Sequence, residues 1–322
     1  MDNQLAIIIS YGSNSLRSCP RKPFLLFFHT FRIFVLFAND ICDSIASEKL
    51  LYADDLKIFR TIASVSDGNA LQHDVDSILH WCLVNGMEVN TDKCYIISFS
   101  RLWSPQHFTY RINERNLIRC ESRKDLGVSI DSKLRFDEHI TTVSSKAYAI
   151  LGFIRRNTSD FEDIYALKTL YCSLVRSILE YAAPVWAPYS TGLINKVESV
   201  QRSFVRYALR RLPWQNPLHL PAYEHRCQLI KLSSLAERRV LSQRLLIYDL
   251  LMNTVDCSYL LQQLNIHAPH RRLRNRTFLW TPTHGTTYGQ HNPLDYSCRL
   301  FNEISHEFDF NISKTRFKKA MF

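Results

Sequence analysis

Two adjacent carboxylates inside an apolar run constrain the fold of this chain more than any other local feature. The tetrad Tyr52-Ala53-Asp54-Asp55 follows Leu50-Leu51 and precedes Leu56, Ile58 and Phe59. Short apolar runs on both sides of a polar break predict a β-hairpin. Mg²⁺ favours carboxylate oxygens that a tight turn holds close together. Asp is also a common turn residue that hydrogen-bonds its own backbone, so a plain turn stays open as the alternative.

The segment that follows the hairpin predicts one helix and further strands. A helical apolar face recurs at Leu71, Val75, Ile78 and Cys82. Ser66 or Asp67 is the expected N-cap, because short oxygen-bearing side chains accept hydrogen bonds from the first backbone amides of a helix. Alternating apolar residues predict strands within residues 94–99, 108–112 and 126–130. The order of hairpin, helix, strand and hairpin predicts an α+β fold.

Residues beyond 136 are helical by pattern. The first helix is predicted over residues 139–155. A second helix, which ends near Pro184, is predicted from one broad apolar face: Leu167, Leu170, Tyr171, Leu174, Val175 and Ile178. Proline spacing predicts a linker at 213–221, and a further helix is expected from about 227 to 252. We therefore divide the chain into segments 1–35, 36–136, 137–215 and 216–322.

Composition favours a folded protein with acidic partners. Of the 322 residues, 46% are hydrophobic, so the chain can bury sizeable cores. The formal net charge of +10 favours association with nucleic acid or another acidic partner. Nine Cys without any C-x-x-C pair argue against a disulfide scaffold and against a zinc ribbon. We expect an intracellular protein of the nucleus or cytoplasm.

Part of the positive charge is arranged at helical spacing. Arg202, Arg206 and Arg210 recur every fourth residue, so a helix would present them as one stripe. Ile194, Val197, Phe204 and Ala208 would lie on other faces of the same helix. A stripe of this kind suits contacts with phosphate groups, because arginine pairs with phosphate through two parallel hydrogen bonds. A solvated helix face is the alternative.

Many short blocks of this sequence follow one another in the order of a known family. They are Leu36-Phe37-Ala38-Asn39-Asp40-Ile41, the segment 52–59, residues 71–82, 90–94 and 98–101, Leu126-Gly127-Val128, Leu179-Glu180-Tyr181, residues 184–186, Glu198-Ser199-Val200-Gln201-Arg202, and residues 216–218, 248–251 and 308–310. With these blocks the chain resembles the C-terminal half of the reverse transcriptase of non-LTR retrotransposons, of the jockey-like kind found in insects. The resemblance covers roughly residues 36 to 322.

The resemblance implies an activity and a set of site residues. The family is an RNA-directed DNA polymerase, a nucleotidyltransferase of mobile elements with two-metal chemistry. Asp54 and Asp55 match its catalytic, magnesium-binding motif, and Lys93 matches a lysine thought to donate a proton to the departing pyrophosphate. Gly127 lies in a block that resembles the hairpin gripping the primer end. A solvated lysine at a strand edge and an ordinary turn glycine are the respective alternatives.

The resemblance also implies an architecture and its partners. Residues 36–136 would form a partial polymerase palm, followed by a mainly helical thumb and a C-terminal extension. A thumb follows the nucleic-acid backbone, so Arg202, Arg206 and Arg210 would contact phosphates of an RNA template and DNA primer, or of an RNA/DNA hybrid. Three separate phosphate contacts would steepen the salt dependence of binding by up to about three units. No small-molecule cofactor is expected besides Mg²⁺.

The sequence pattern does not reveal one catalytic element of this family, an aspartate on an upstream strand. Two-metal chemistry requires a further aspartate on a separate upstream strand. In residues 1–35, Asp2 is the sole acid and lies in no strand-like frame. We therefore interpret segment 1–35 as divergent or out of frame, and the chain as a truncated reverse transcriptase that is inactive on its own. A non-catalytic remnant that binds nucleic acid is the alternative.

A membrane anchor or signal peptide in the N-terminal segment was the third possibility. The apolar run over residues 24–38 is shorter than the roughly 20 residues that a membrane span needs. It also contains His29 and Arg32, which are costly to bury in lipid. No small-residue cleavage site follows convincingly. Membrane insertion is therefore the disfavoured interpretation.

Overall fold

The chain contains both helices and small sheets, which confirms the predicted α+β class. The computed structural model describes residues 4–10, 39–53, 55–102, 107–210, 221–267 and 277–320. They belong to two compact units, Met1–Arg135 and Phe136–Phe322. Asp54, the apolar run at 24–38 and most of the predicted linker lie outside the described residues. No helix in the described ranges is long and apolar enough to cross a membrane.

The first unit is built on a five-stranded sheet. The described strands of the whole unit are β1 (Gln4–Ser10), β2 (Glu48–Tyr52), β3 (Asp55–Thr61), β4 (Tyr95–Phe99), β5 (Arg111–Ile112), β6 (Arg115–Asn116), β7 (Ile118–Cys120), β8 (Ser122–Asp125) and β9 (Val128–Asp131). The sheet order is β2-β3-β1-β4-β7, antiparallel except for the parallel pair β4 and β7. β5 with β6 and β8 with β9 form two separate hairpins.

Strand β1 lies within the segment 1–35, which we interpret from the sequence as divergent or out of frame. It lies between β3 and β4 and pairs antiparallel with both, from Gln4 opposite Thr61 to Ser10 opposite Asp55. Residues 5–9 read Leu-Ala-Ile-Ile-Ile, and β-branched residues of this kind favour strands. Strand β3 is thus paired on both sides, with β2 and with β1.

One long helix covers one face of this sheet. Helix α1 (Val65–Val84) buries the predicted apolar face, which confirms it: Leu71, Val75, Ile78 and Cys82. These residues form one core with Leu56, Ile58 and Ile96 of the strands. The N-cap is Ser64 rather than Ser66 or Asp67. Asp67 is the third helical residue and accepts from the Ser64 backbone amide at 2.9 Å, and its hydrogen bond with the Ser64 side chain lowers the pKa of Asp67.

The last hairpin of the first unit differs in one detail from the predicted alternation. Leu126 was expected to point inward from a strand, but it lies in the turn between β8 and β9 and is exposed. Leu126 and Gly127 have φ angles of 43° and 88°. A two-residue hairpin turn needs positive φ at its central positions, and a glycine provides it without strain. This turn accounts for Gly127 whether or not it contacts nucleic acid.

The second unit is mainly helical. Its helices are α2 (Asp137–Asn157), α3 (Ile164–Leu170), α4 (Ser177–Glu180), α5 (Ala183–Trp186), α6 (Thr191–Leu209), α7 (Tyr223–Leu229), α8 (Leu235–Leu251), α9 (Ser258–Gln262), α10 (Thr287–Gln290), α11 (Pro293–Asn302) and α12 (Lys314–Ala320). The short strands β10 (Asn265–Ile266) and β11 (Leu279–Trp280) pair antiparallel. An apolar cluster of Tyr248, Phe301 and Phe317 packs α8, α11 and α12 together. The prediction of a helix over residues 139–155 is confirmed.

A π-helical turn changes which residues the second predicted helix buries. Residues Tyr171–Arg176 join α3 to α4 in π-helical conformation. The buried residues therefore recur every fourth position: Leu167, Tyr171, Val175 and Leu179. Leu174, predicted to be on the apolar face, is 43% exposed. The wider π turn rotates it out of the 3.6-residue periodicity on which the prediction was based.

The helix predicted from about 227 to 252 is two helices. The backbone breaks between α7 and α8, where Lys231 has a φ of 53°. Ser234 then caps α8 by accepting from the Glu237 amide at 3.1 Å, while Glu237 accepts from the Ser234 amide at 2.9 Å. This reciprocal pair is a helix-start signal. The Ser234 to Glu237 spacing was present in the sequence and was missed.

Candidate functional site

The carboxylate hairpin has the predicted form. Tyr52, the last residue of β2, pairs with Asp55, the first residue of β3. The connection is therefore two residues long, and Ala53 adopts the positive φ of 55° that such a turn requires. The β-hairpin predicted around the tetrad 52–55 is confirmed. Asp55 is half-buried, and its neighbour Asp54 lies outside the described residues.

The same edge of the sheet carries two other chain segments. Strand β1 ends there, with Ser10 in register with Asp55. Strand β4 begins there, with Tyr95 in register with Ile8 of β1. The 3₁₀ turn Thr91–Lys93 leads directly into β4 and contacts β1. Since strands are about 4.8 Å apart, this turn lies roughly 10 Å from β3, and Lys93 on it is exposed.

The described residues at this edge lack part of the magnesium site that the resemblance implies. Two-metal chemistry needs several carboxylates facing one point. The residue that β1 brings into register with Asp55 is a serine. Within the described ranges, no group of three or more His, Cys, Asp or Glu side chains gathers in an arrangement suited to a metal. The described residues therefore do not fit a complete two-metal site, and Asp55 is the one predicted ligand among them.

A side-chain ion pair attaches the β8–β9 hairpin to the sheet next to Asp55. Lys57 lies two residues beyond Asp55 on β3, so both side chains share one face of the sheet. Lys57 Nζ donates to Asp125 Oδ2 at 2.7 Å, and both side chains are mostly buried. Arg123 lies over the Tyr95 ring at 4.6 Å from its centroid. Burial, together with the Asp125 carboxylate, raises the pKa of Tyr95 to about 12.

This ion pair was not predicted from the sequence, although the position of Lys57 on the strand could have been. Lys57 follows Asp55 by two residues in a strand, which places it on the same face. Its partner is 68 residues away, and periodicity carries no information on such pairs. The pair fixes the hairpin that bears Gly127 over the face of β3 that also presents Asp55.

We expect Lys57→Glu to detach the β8–β9 hairpin from the sheet. A hydrogen bond between charged, mostly buried groups contributes about 1.5–3 kcal/mol, and the substitution also sets two carboxylates against each other. Hydrogen exchange of amides in residues 122–131 should accelerate by roughly tenfold or more. The swap Lys57→Asp with Asp125→Lys should recover part of the protection.

Lys124→Glu is the matched control for this prediction. Lys124 is exposed on the same strand β8 and makes no described ion pair. Its substitution should leave the exchange rates of the hairpin unchanged. Equal acceleration in the Lys57 and Lys124 variants would show that charge on the hairpin, rather than the specific pair, holds it in place.

The basic stripe of α6 is not uniform. Arg206 and Arg210 are exposed, as predicted for residues that contact a ligand. Arg202 is half-buried, with its guanidinium 5.2 Å from the centroid of the Tyr223 ring on α7. Its Nη2 also donates to Asn195 Oδ1 at 3.3 Å. Arg202 therefore takes part in packing between two helices, and the structure separates it from the other two arginines.

The block around Glu198 and Gln201 has a structural role. Glu198 Oε1 accepts from the Tyr223 hydroxyl and from the Leu235 amide, the latter at 3.0 Å. Gln201 accepts from the Tyr171 hydroxyl at 3.0 Å and donates to the Ser233 carbonyl at 2.9 Å. Burial and the Glu198 carboxylate raise the pKa of Tyr223. This network joins α6 to α7 and to the start of α8.

The block around Glu180 also serves packing. Glu180 pairs with Arg238 of α8 through two hydrogen bonds, of which Nη2 to Oε2 measures 2.8 Å. This bidentate pair raises the pKa of the Arg238 guanidinium. Trp186 donates from Nε1 to the Tyr181 carbonyl at 2.8 Å. Side chains from several of the sequence blocks that carry the resemblance thus make contacts that hold the second unit together.

No protein-family model matches the chain, and no curated protein matches it significantly. The resemblance to reverse transcriptases therefore depends on the short blocks of the sequence. The geometry adds two observations that bear on it. One is the Asp55 edge of the sheet, and the other is the pair of exposed arginines on α6.

Proposed function

We propose that this chain is a reverse transcriptase remnant of a non-LTR retrotransposon of the jockey-like kind. The first unit would be its palm, and the second unit its thumb and C-terminal extension. The observation that carries the proposal is the placement of the carboxylate hairpin. Asp55 opens a strand in a sheet whose other face is covered by α1, so its own face is left to a ligand and to the β8–β9 hairpin.

Four of the predicted site residues would belong to the palm in this proposal. Asp54 and Asp55 would be the remaining carboxylates of a magnesium site that is incomplete without a third. Lys93, exposed at the same edge of the sheet, would donate a proton to the leaving pyrophosphate. Gly127 would approach the primer backbone from the hairpin that Lys57 holds against β3.

Ser10 favours the second candidate function for the isolated polypeptide, a non-catalytic protein that binds nucleic acid. Ser10 is in register with Asp55, and in the proposed palm a further carboxylate would be required next to Asp55. Binding needs no such group, because phosphate contacts position a protein through positive charge. Arg206 and Arg210 supply this charge on an exposed helix face. The partner would be an RNA/DNA hybrid or a primed RNA template.

We expect the double substitution Asp54→Asn and Asp55→Asn to leave the affinity for an RNA/DNA hybrid equal or slightly higher. Both changes remove negative charge that repels phosphate, and neither removes a phosphate contact. Fluorescence anisotropy at several salt concentrations measures the affinity. Arg206→Ala with Arg210→Ala is the opposite arm and should weaken binding by roughly tenfold or more.

Three results would contradict this proposal. The first is an absence of salt-dependent binding by the unsubstituted chain. The second is a strong loss of affinity in the Asp54→Asn and Asp55→Asn variant, which would place the nucleic acid at the hairpin instead of at α6. The third is unchanged binding in the arginine variant, which would return the basic helix to an ordinary solvated face.

A further inference from the structure

Helices α2 and α6 lie side by side and run in the same direction. Three side-chain contacts between them follow in order along both helices. Tyr148 donates to Ser199 Oγ at 2.9 Å, Arg155 to Ser203 at 2.7 Å, and the Thr158 and Tyr207 hydroxyls are 2.8 Å apart. The C-terminal ends of the two helices therefore meet.

A cleft of about 320 Å³ opens at this shared end. It is lined by Arg155, Ser203, Arg206, Tyr207 and Arg210. Arg155 is held in place from two sides, because its Nη2 donates to both the carbonyl and the hydroxyl of Ser203 and its guanidinium lies 5.5 Å from the centroid of the Tyr207 ring. Its Nε is buried, and no described atom accepts a hydrogen bond from it.

The helix ends account for only part of this positive charge. Cations are favourable at helix C-termini, where the backbone carries roughly half a negative charge per helix. The two ends together supply about one negative charge, whereas three arginines line the cleft. Among the described residues, no Asp or Glu lines it. About two positive charges at the cleft are therefore not balanced by the helix ends. One of the three arginines, Arg155, is already fixed in place, and its Nε donates to no described atom.

We propose that this cleft is a preformed site for a single backbone phosphate of a nucleic-acid strand. The proposal rests on the proposed function, but its binding residues are not the same as the stripe of Arg202, Arg206 and Arg210. Arg155, which belongs to another helix, joins Arg206 and Arg210, while Arg202 is excluded by its contacts with Tyr223 and Asn195. The Arg155 guanidinium brings a positive charge to the cleft, and its fixed position lowers the entropy cost of binding.

Convergence on one phosphate has a measurable consequence. The salt dependence of binding counts the phosphates that are neutralised, and not the arginines that neutralise them. Three arginines along a stripe would contact three phosphates and contribute about three units to the slope of log affinity against log salt. Three arginines around one phosphate contribute about one unit. Their substitutions should also be non-additive, because each removes part of the same site.

The test compares Arg155→Ala, Arg206→Ala, Arg210→Ala and the triple variant by anisotropy with an RNA/DNA hybrid. We expect each single variant to lose roughly tenfold in affinity and the triple variant to lose far less than the product of the three losses. The slope of the triple variant should fall by about one unit. Arg206→Ala and Arg210→Ala keep the test valid if Arg155→Ala misfolds, because both side chains are exposed.

Arg156→Ala and Arg202→Ala are the matched controls. Arg156 is exposed next to Arg155 but does not line the cleft. Neither control should change the slope by more than a small fraction of a unit. Additive losses with a fall of about three units in the triple variant would overturn the single-phosphate site and favour separate contacts. An unchanged slope in the triple variant would overturn the cleft as a binding site.

A second readout separates failure of the cleft from failure of the proposed function. Inorganic phosphate at constant ionic strength should raise the Tm of the whole chain, and Arg206→Ala should abolish this rise. If phosphate stabilises the chain through Arg206 but the hybrid is not bound, the nucleic-acid assignment is overturned and a free-phosphate site is left. If the hybrid is bound with unchanged slope in the variants and phosphate has no effect, the cleft is overturned while nucleic-acid binding stands.

Discussion

The isolated chain is expected to add no nucleotide to a DNA primer on an RNA template in the presence of Mg²⁺. The family's chemistry needs a third carboxylate from a strand beside the Asp54-Asp55 hairpin. In the proposed palm β1 would take that place, and it brings Ser10 into register with Asp55. A primer-extension assay with labelled nucleotides measures the activity. Template-dependent incorporation that Asp54→Ala abolishes would show the prediction to be wrong.

Ser10→Asp tests the same prediction by adding a carboxylate beside Asp55. Residues directly opposite each other on antiparallel strands have Cβ atoms about 5 Å apart, so the new carboxylate would be a neighbour of Asp55. We expect affinity for Mn²⁺, used as a paramagnetic substitute for Mg²⁺, to rise by about tenfold or more. Ser10→Asn is the matched control without the charge, and a further Asp55→Asn substitution should remove the gain. Equal Mn²⁺ affinity in the Ser10→Asp and Ser10→Asn variants would contradict the assignment of β1 to the missing strand.

Local signals were sufficient for the hairpin and for α1. Both consist of residues close in sequence, and their periods of 2 and 3.6 are set by backbone geometry. The predicted N-cap of α1 was two or three residues too late, because Ser64, Ser66 and Asp67 all carry oxygen-bearing side chains suited to capping. The capping box decides between them, since Ser64 and Asp67 satisfy each other's backbone amides.

Strand β1 shows what periodicity cannot supply. Its pairing partners are β3 and β4, which are more than 40 residues away in sequence. An apolar run of five residues, Leu5 to Ile9, is compatible with a strand or with part of a buried helix, and only the neighbouring strands determine which forms. The candidate site could not be predicted for the same reason, because the position of Ser10 beside Asp55 follows from the register of β1 on β3 and not from any local pattern.

The surroundings of each arginine on α6 are a second feature that helical spacing did not predict. Arg202 was grouped with Arg206 and Arg210 because charged residues at helical spacing indicate one exposed face. Three such positions drift around a helix, since four residues exceed one turn of 3.6. Arg202 thereby reaches Tyr223 on α7, while Arg206 and Arg210 reach the end of α2 beside Arg155.

Glu198→Ala is expected to destabilise the second unit by about 3–5 kcal/mol, the range observed when one partner of a buried ion pair is removed. Glu198 and Arg239 are only 4% and 6% exposed, and Arg239 Nη2 lies 4.0 Å from Glu198 Oε2. The substitution would leave the Arg239 charge buried without its partner and would remove the acceptor for Tyr223 and the Leu235 amide. Hydrogen exchange of amides in α6 and α8 measures the local stability.

Two comparison variants show whether the buried charge causes this loss. Glu237→Ala removes an exposed carboxylate from the cap of α8 and should cost only about 1 kcal/mol. Glu198→Gln combined with Arg239→Met removes both charges and keeps a side-chain acceptor for Tyr223. This double variant should be clearly more stable than Glu198→Ala, because replacing a whole buried pair costs less than breaking it. If Glu198→Ala and Glu237→Ala were equally mild, the network would contribute little, and the Glu198 block would need another explanation, such as a ligand contact.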